Sequence, residues 1–266
     1  MDALVLERPI TKKTTPIDYP TSDGEPMAET EAHVLAILQL LSALRHFFRK
    51  QAVYVVGNIY LYYREGDPKA RKSPDVMVVK NAAKHERRSF KTWEEQAMPS
   101  VVFEITSRDT SREDTTSKAT LYAALGIREY FLFDPLHEYL DEQFMGYRLV
   151  GSEYVAIPTN EDGEIFSTEL QAVLRPEGKL LRVVDPQTGL LVPNLEEAVD
   201  IAEQEAQRAE QEAQRAEQEA QRAEQEAQRA EQEAQRAEQE AQRANATEAE
   251  NLQLRAQIEA LLKQRS

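Results

Sequence analysis

The run Val101-Val102-Phe103-Glu104-Ile105-Thr106 decides how the chain is read. It is a strand, and side chains alternate along a strand. Val101, Phe103 and Ile105 therefore face one way, and Val102, Glu104 and Thr106 the other. Its neighbours are all apolar, so Glu104 is an acid set inside a buried element. An unpaired buried carboxylate costs several kcal/mol, which demands a partner, and a divalent cation is the economical one.

Working outward, Ser73-Pro74-Asp75-Val76 places a second carboxylate at the mouth of an apolar strand, Val76–Val79. Downstream, residues 111–125 read as a helix closed by Gly126 at the C′ position. Lys118 lies three, four and seven residues before Leu121, Tyr122 and Leu125, on the stripe expected to face the sheet. Asp114 stands four residues before it. Two acids at strand ends with a lysine aimed back at them suit phosphodiester hydrolysis. Asp75 and Glu104, with the main-chain carbonyl of Ile105 and waters, supply the oxygen ligands that Mg²⁺ prefers, and Mn²⁺ is an alternative. Lys118 then orients the water or offsets charge on phosphorus. Each residue also has a plain structural reading. Pro-Asp before a strand is a common turn, Glu104 could face solvent on a half-exposed sheet, and Lys118 could snorkel or pair with Asp114.

The remaining elements follow from periodicity. His33, Ile37, Leu40, Leu41, Leu44 and Phe48 mark one face of a helix from Met27 to about Phe48. Val53–Val56 and Ile59–Tyr63, with Gly57-Asn58 between them, read as strand, followed by a charged loop over Arg64–Ser73 and a charged, partly helical excursion over 81–98. Another strand covers Glu129–Phe133, stopped by Asp134-Pro135. A hairpin pairs Gln143–Val150 with Glu153–Ile157, and further short strands follow over 164–193. The order helix, three strands, helix, strand predicts an α/β fold around a mixed sheet. No G-x-G-x-x-G follows a strand and no G-x-x-x-x-G-K is present, which excludes Rossmann and P-loop nucleotide binding.

Composition narrows the chemistry. Cysteine is absent, so thiolate metal sites, disulfides and thiol nucleophiles are excluded. The four histidines have no zinc-helix spacing, and His33 and His46 read as core or surface residues. Net charge is −15, of which the first 200 residues carry −9, so contact with phosphates requires a local basic strip or a cation. The longest uncharged apolar stretch, Ala32–Leu44, is 13 residues, too short for a bilayer, and no signal-like segment opens the chain. A soluble cytoplasmic protein is expected. Residues 202–243 are six tandem copies of Ala-Glu-Gln-Glu-Ala-Gln-Arg, whose alanines alternate at spacings of four and three. This is a heptad seam, with Glu205–Arg208 as a helpful i,i+3 pair. Leu252, Leu254, Ile258, Leu261 and Leu262 supply larger apolar residues near its end. Either a solvated single helix or a coiled-coil stalk that assembles copies fits this tail.

The runs Pro74–Val76, Val101–Ser107, Asp114–Tyr122 and Gly126–Pro135, in this order, resemble the Uma-type family of restriction endonucleases, abundant in cyanobacteria, within the PD-(D/E)XK nuclease superfamily. The resemblance covers about residues 25–185. It implies an αβββαβ nuclease core and Mg²⁺-dependent cleavage of DNA, with Asp75 and Glu104 matching the two acids. The superfamily usually carries lysine two residues after the second acid. That position is Thr106 here, and Lys118 matches the lysine moved to the next helix. Glu29 matches an accessory helix carboxylate, though it equally suits a solvated helix start. Tyr122 packs or hydrogen-bonds a phosphate. The expected organisation is an arm over 1–26, a restriction endonuclease-like domain over 27–195 and a heptad-repeat helical stalk over 196–266. The alternative is an inactive nuclease-fold module that binds nucleic acid or protein and is assembled by the stalk.

Overall fold

A computed structural model describes residues 17–22 and 30–264, with side chains to residue 257. They divide into two compact units on either side of the Ala198–Val199 bond. In the first unit, helix α1 (Glu31–Phe47) opens on Thr30, whose hydroxyl accepts from the His33 backbone N–H. It buries His33, Ala36, Ile37, Leu40, Ala43 and Leu44, the face expected from the spacing. Strand β1 (Val53–Val56) follows, then β2 (Tyr60–Tyr62), β3 (Arg71–Lys72), β4 (Val76–Lys80) and β5 (Ser89–Lys91). The short α2 (Thr92–Glu95) leads to β6 (Val101–Ile105).

The next helical segment has three parts. It runs from α3 (Ser111–Glu113) through a π-helical turn (Asp114–Lys118) into α4 (Ala119–Ala124). A regular helix was expected here. The structure inserts a wider turn at the residues that carry Asp114 and Lys118, a distortion that recurs at functional sites. Gly126, at φ +77, closes the segment in a Schellman arrangement. Its N–H bonds to the Ala123 carbonyl, and the Ile127 N–H reaches the Tyr122 carbonyl. Strands β7 (Glu129–Phe133), β8 (Phe144–Val150), β9 (Glu153–Ala156), β10 (Ile165–Ser167), β11 (Ala172–Glu177) and β12 (Leu180–Val184) complete the unit before α5 (Leu195–Gln264) begins.

The central sheet has six strands in the order β1-β4-β6-β7-β8-β9. Only β6 and β7 are parallel, joined by the α3–α4 crossover, so the sheet is mixed as expected. Both faces are covered. Val55, Val78, Phe103 and Phe131 pack towards α1 and the β10–β12 sheet. Tyr54, Met77, Val102, Tyr130 and Leu132 pack with Tyr122 and Phe90 on the other side. Strand β2 does not join the central sheet. Asn58, at φ 53, turns the chain away after Gly57, and β2 pairs instead with β3 and, in parallel, with β5. The Arg64–Ser73 loop and the 81–98 excursion thus each contribute a strand that the sequence pattern did not show.

Glu129 links the central sheet to the β10–β12 sheet. Its buried carboxylate accepts from Arg148, from the Thr168 hydroxyl at 2.8 Å and from Ser167. Asp134 does more than stop a strand, because it accepts four backbone N–H groups, from Leu136, Glu138, Tyr139 and Leu140.

The second unit is helix throughout residues 199–264, with every described side chain exposed. Its intrahelical contacts join Gln to Glu one turn back, as in Gln214 to Glu210 at 3.4 Å. Among the described residues no helix is long and apolar enough to cross a membrane.

Candidate active site

The register of β4 against β6 brings the two acids together. Val76 pairs with Phe103, so Asp75, one residue earlier, stands across from Glu104. Asp75 Oδ2 accepts the Ile105 backbone N–H at 2.8 Å, which ties its carboxylate to the end of β6. Pro74 has no N–H to give, and its carbonyl accepts from the Asn58 N–H at 3.1 Å. Gly57 packs so tightly that a Cβ there would stand 2.3 Å from the Asp75 carbonyl oxygen. Gly57→Ala is therefore expected to cost about 1–3 kcal/mol and to displace Asp75 from the end of β6. Urea denaturation checks the first effect and the Ile105 amide shift in NMR the second.

Glu104 is fully buried and held from two directions. Lys118 Nζ donates to its Oε2 at 2.8 Å, and the Tyr122 hydroxyl donates to its Oε1 at 2.7 Å. Lys118 also lies 2.8 Å from Asp114 Oδ1. Two of the readings open for Lys118 are thus both realised: it faces the second acid and pairs with Asp114. That second contact is off the line of a hydrogen bond, and neither buried Asp114 oxygen has a hydrogen-bond partner among the described residues. The Tyr130 hydroxyl donates to the Asp114 backbone carbonyl at 2.9 Å and steadies the π turn. Tyr122 packs and serves Glu104 together, and it has no open surface for a phosphate.

The electrostatics follow from this crowding. Burial pushes the Glu104 carboxyl up to about 8, opposed by the Lys118 charge and reinforced by Asp75 and Asp114. Burial pulls Lys118 down, but Glu104 and Asp114 outweigh it and hold the ammonium above its ordinary range, permanently charged. Tyr122 is raised by burial and by the neighbouring Glu104, so it remains a donor. Two acidic side chains, Glu104 and Asp114, thus share one ammonium, with Asp75 as a third acid nearby.

Hard oxygen donors in excess of cations fit a divalent metal. Among the described residues no three acidic or imidazole side chains form a ligand set by themselves. A cation here would take Asp75, Glu104, a backbone carbonyl and water. The Ile105 carbonyl already accepts from His33 Nε2, and its second lone pair is the one left for a metal. His33 also comes within 3.9 Å of Asp75 Oδ2. Its position on the apolar face of α1 gave no sign of this role. Asp114 was equally hidden, visible only as a pairing option for Lys118. Glu29 lies outside the described residues.

The first unit is thus an α/β domain with an acid–acid–lysine centre where the parallel pair of a mixed sheet ends. Over residues 6–177 the sequence matches the Uma2 family, described as "Putative restriction endonuclease", and the chain belongs to that family. Taken with the central-sheet strands alone, the order α1, β1, β4, β6, the α3–α4 crossover and β7 is the αβββαβ order the resemblance implied. A similar solved structure is that of a "putative nuclease belonging to DUF820" from Anabaena variabilis. It is 18% identical and aligns over 57% of this chain and 82% of that one, with a TM-score of 0.40. No curated protein is significantly similar to the chain.

Proposed function

We propose that the protein is a Mg²⁺-dependent endonuclease that hydrolyses DNA phosphodiester bonds, with Mn²⁺ as a substitute. The observation that carries this reading is the meeting of Asp75, Glu104 and Lys118, residues far apart in the chain, at one end of the sheet. Asp75, Glu104 and the Ile105 carbonyl would hold the cation. Bound there, it supplies Lewis-acid stabilisation of the charge that develops on the phosphoryl group. Lys118 adds a fixed positive charge beside the same position, preorganised by Glu104 and Asp114. Tyr122 keeps the Glu104 carboxyl in one orientation, and Asp75 is set by the Ile105 N–H.

One feature favours a second reading, a catalytically inactive module. Glu104 and Asp114 have no solvent contact, so their cluster can also be read as an internal ion-pair network that only stabilises the fold. Plasmid nicking separates the two. With Mg²⁺, Asp75→Ala and Glu104→Ala are each expected to lower the nicking rate by about a hundredfold or more. Equal rates in the parent and both variants would remove the hydrolase reading.

A further inference from the structure

Many cations of the first unit are matched to carboxylates. Lys72 meets Glu113, Lys80 meets Glu169, and Arg148, Arg175 and Arg182 meet Glu129, Glu164 and Glu197. A cluster at the C-terminal end of α1 departs from this pattern. Arg45, Arg49 and Lys84 line a cavity of about 530 Å³ along β1, the edge strand of the central sheet. All three are exposed, and none has a carboxylate partner among the described residues. Glu86 is the one acid among the lining residues.

Their side chains are nevertheless held in place. Arg45 Nε donates to the Val55 carbonyl at 3.0 Å and Arg49 Nη1 to the His46 carbonyl at 2.8 Å. Lys84 Nζ donates to the Phe48 carbonyl at 2.6 Å and the Arg49 carbonyl at 3.1 Å. Each of these bonds uses only part of the donor capacity of its head group. Arg87 forms part of the lining, stacked 4.3 Å from the Tyr54 ring centroid and neutralised by Glu95. Cations at a helix C-terminus and on an edge strand have ordinary structural uses. Those uses do not require three uncancelled charges side by side in a domain whose acids outnumber its bases. His46 responds to this surplus, lowered by burial and by the charge of Arg49.

We infer that this groove binds the sugar–phosphate backbone of a nucleic acid. The guanidinium forks of Arg45 and Arg49 match phosphate geometry. The groove also runs along the edge strand towards the candidate active site. It follows β1 from Val53 to Val56, and the next residue, Gly57, packs on Asp75. A strand whose phosphodiester meets Asp75 and Glu104 would extend along this edge. The choice of nucleic acid as the polyanion rests on the proposed function, whereas the charge surplus does not.

The test is fluorescence anisotropy of the full chain with a labelled duplex of about 30 base pairs in EDTA, across a salt series. The double variant Arg49→Gln/Lys84→Gln should weaken binding about tenfold or more and flatten the log–log salt slope by about 2, near 0.9 per lost phosphate contact. Arg49→Lys should keep the slope, and Lys179→Glu, which changes the net charge by the same two units on the β11–β12 turn, should leave binding unchanged. The inference is overturned if the double variant binds like the parent, if the parent binds no duplex, or if poly-glutamate displaces the duplex at equal charge, which would make the partner an acidic protein. Should the double variant lose binding while the parent nicks nothing, the groove stands and the hydrolase reading falls.

Discussion

Lys118→Met is expected to destabilise the protein by about 3–5 kcal/mol, a cost typical of removing one partner from a buried ion pair. Methionine reproduces the apolar stem of lysine, so the loss falls on the charge. The ammonium lies 2.8 Å from an oxygen of both Glu104 and Asp114, and those side chains are 0% and 1% exposed. Without it, Glu104 keeps only the Tyr122 hydroxyl and Asp114 keeps no polar side-chain partner. Glu104 can relieve part of the strain by taking a proton, so the penalty should shrink at lower pH. Denaturant unfolding measures the loss. Adding Glu104→Gln and Asp114→Asn to Lys118→Met should recover much of it, because neutral amides no longer need the ammonium. Unchanged stability in the single variant would mean that the three charged groups do not share one enclosure.

The second large effect is a dependence of stability on pH. The Glu104 carboxyl rises from an ordinary 4.5 to about 8 in the folded protein. The native state therefore holds a proton that the unfolded chain releases above about 4.5. Its contribution to stability is complete below that pH and is lost as pH climbs towards 8, at up to about 1.4 kcal/mol per pH unit. Lys118 is shifted upward too, so its contribution persists throughout this window and declines only in strong alkali. The carboxylates of Glu95, Glu113 and Glu164 are lowered, chiefly by hydrogen bonds from Arg87, Lys72 and Arg175 respectively. Their contributions are present above the ordinary carboxyl range and vanish as pH falls below it. Stability should peak in mildly acidic solution and decline towards pH 8. Glu104→Gln should flatten the alkaline side of that profile and make the variant more stable than the parent near pH 8. A parallel decline in both proteins would place the titrating group elsewhere.

Much of this centre was legible because it rests on simple periods. The twofold alternation of β6 put Glu104 on the face of Val102, and the helical spacing of Lys118 with Tyr122 aimed both at the sheet. Asp75 was legible from Pro74, which opens a strand and leaves its own nitrogen without a proton. What stayed hidden depends on contacts between distant segments. The spacing aimed Lys118 at the sheet but marked Asp114 only as a pairing option, and the π turn shows that both are buried while the three residues between them are exposed. His33 has the position of a core residue, and its bond to Ile105 spans 72 residues. Strand β3 has two residues, too few to register as a period, and β5 is marked by a single buried Phe90 between polar neighbours. Asn58 alone diverts β2 from the central sheet, and asparagine tolerates that left-handed turn without announcing it.

The six identical heptads of the C-terminal helix have a geometric consequence of their own. An α-helix gains 1.5 Å per residue, so one copy adds about 10 Å. Seven residues fall short of two full turns by about 20°, so gaining or losing a copy barely rotates the alanine row. Copy number can therefore change the reach of the rod in fixed increments while its lateral faces stay nearly aligned. In this segment length is free to drift under selection, whereas a single-residue deletion would turn the row by about 100°.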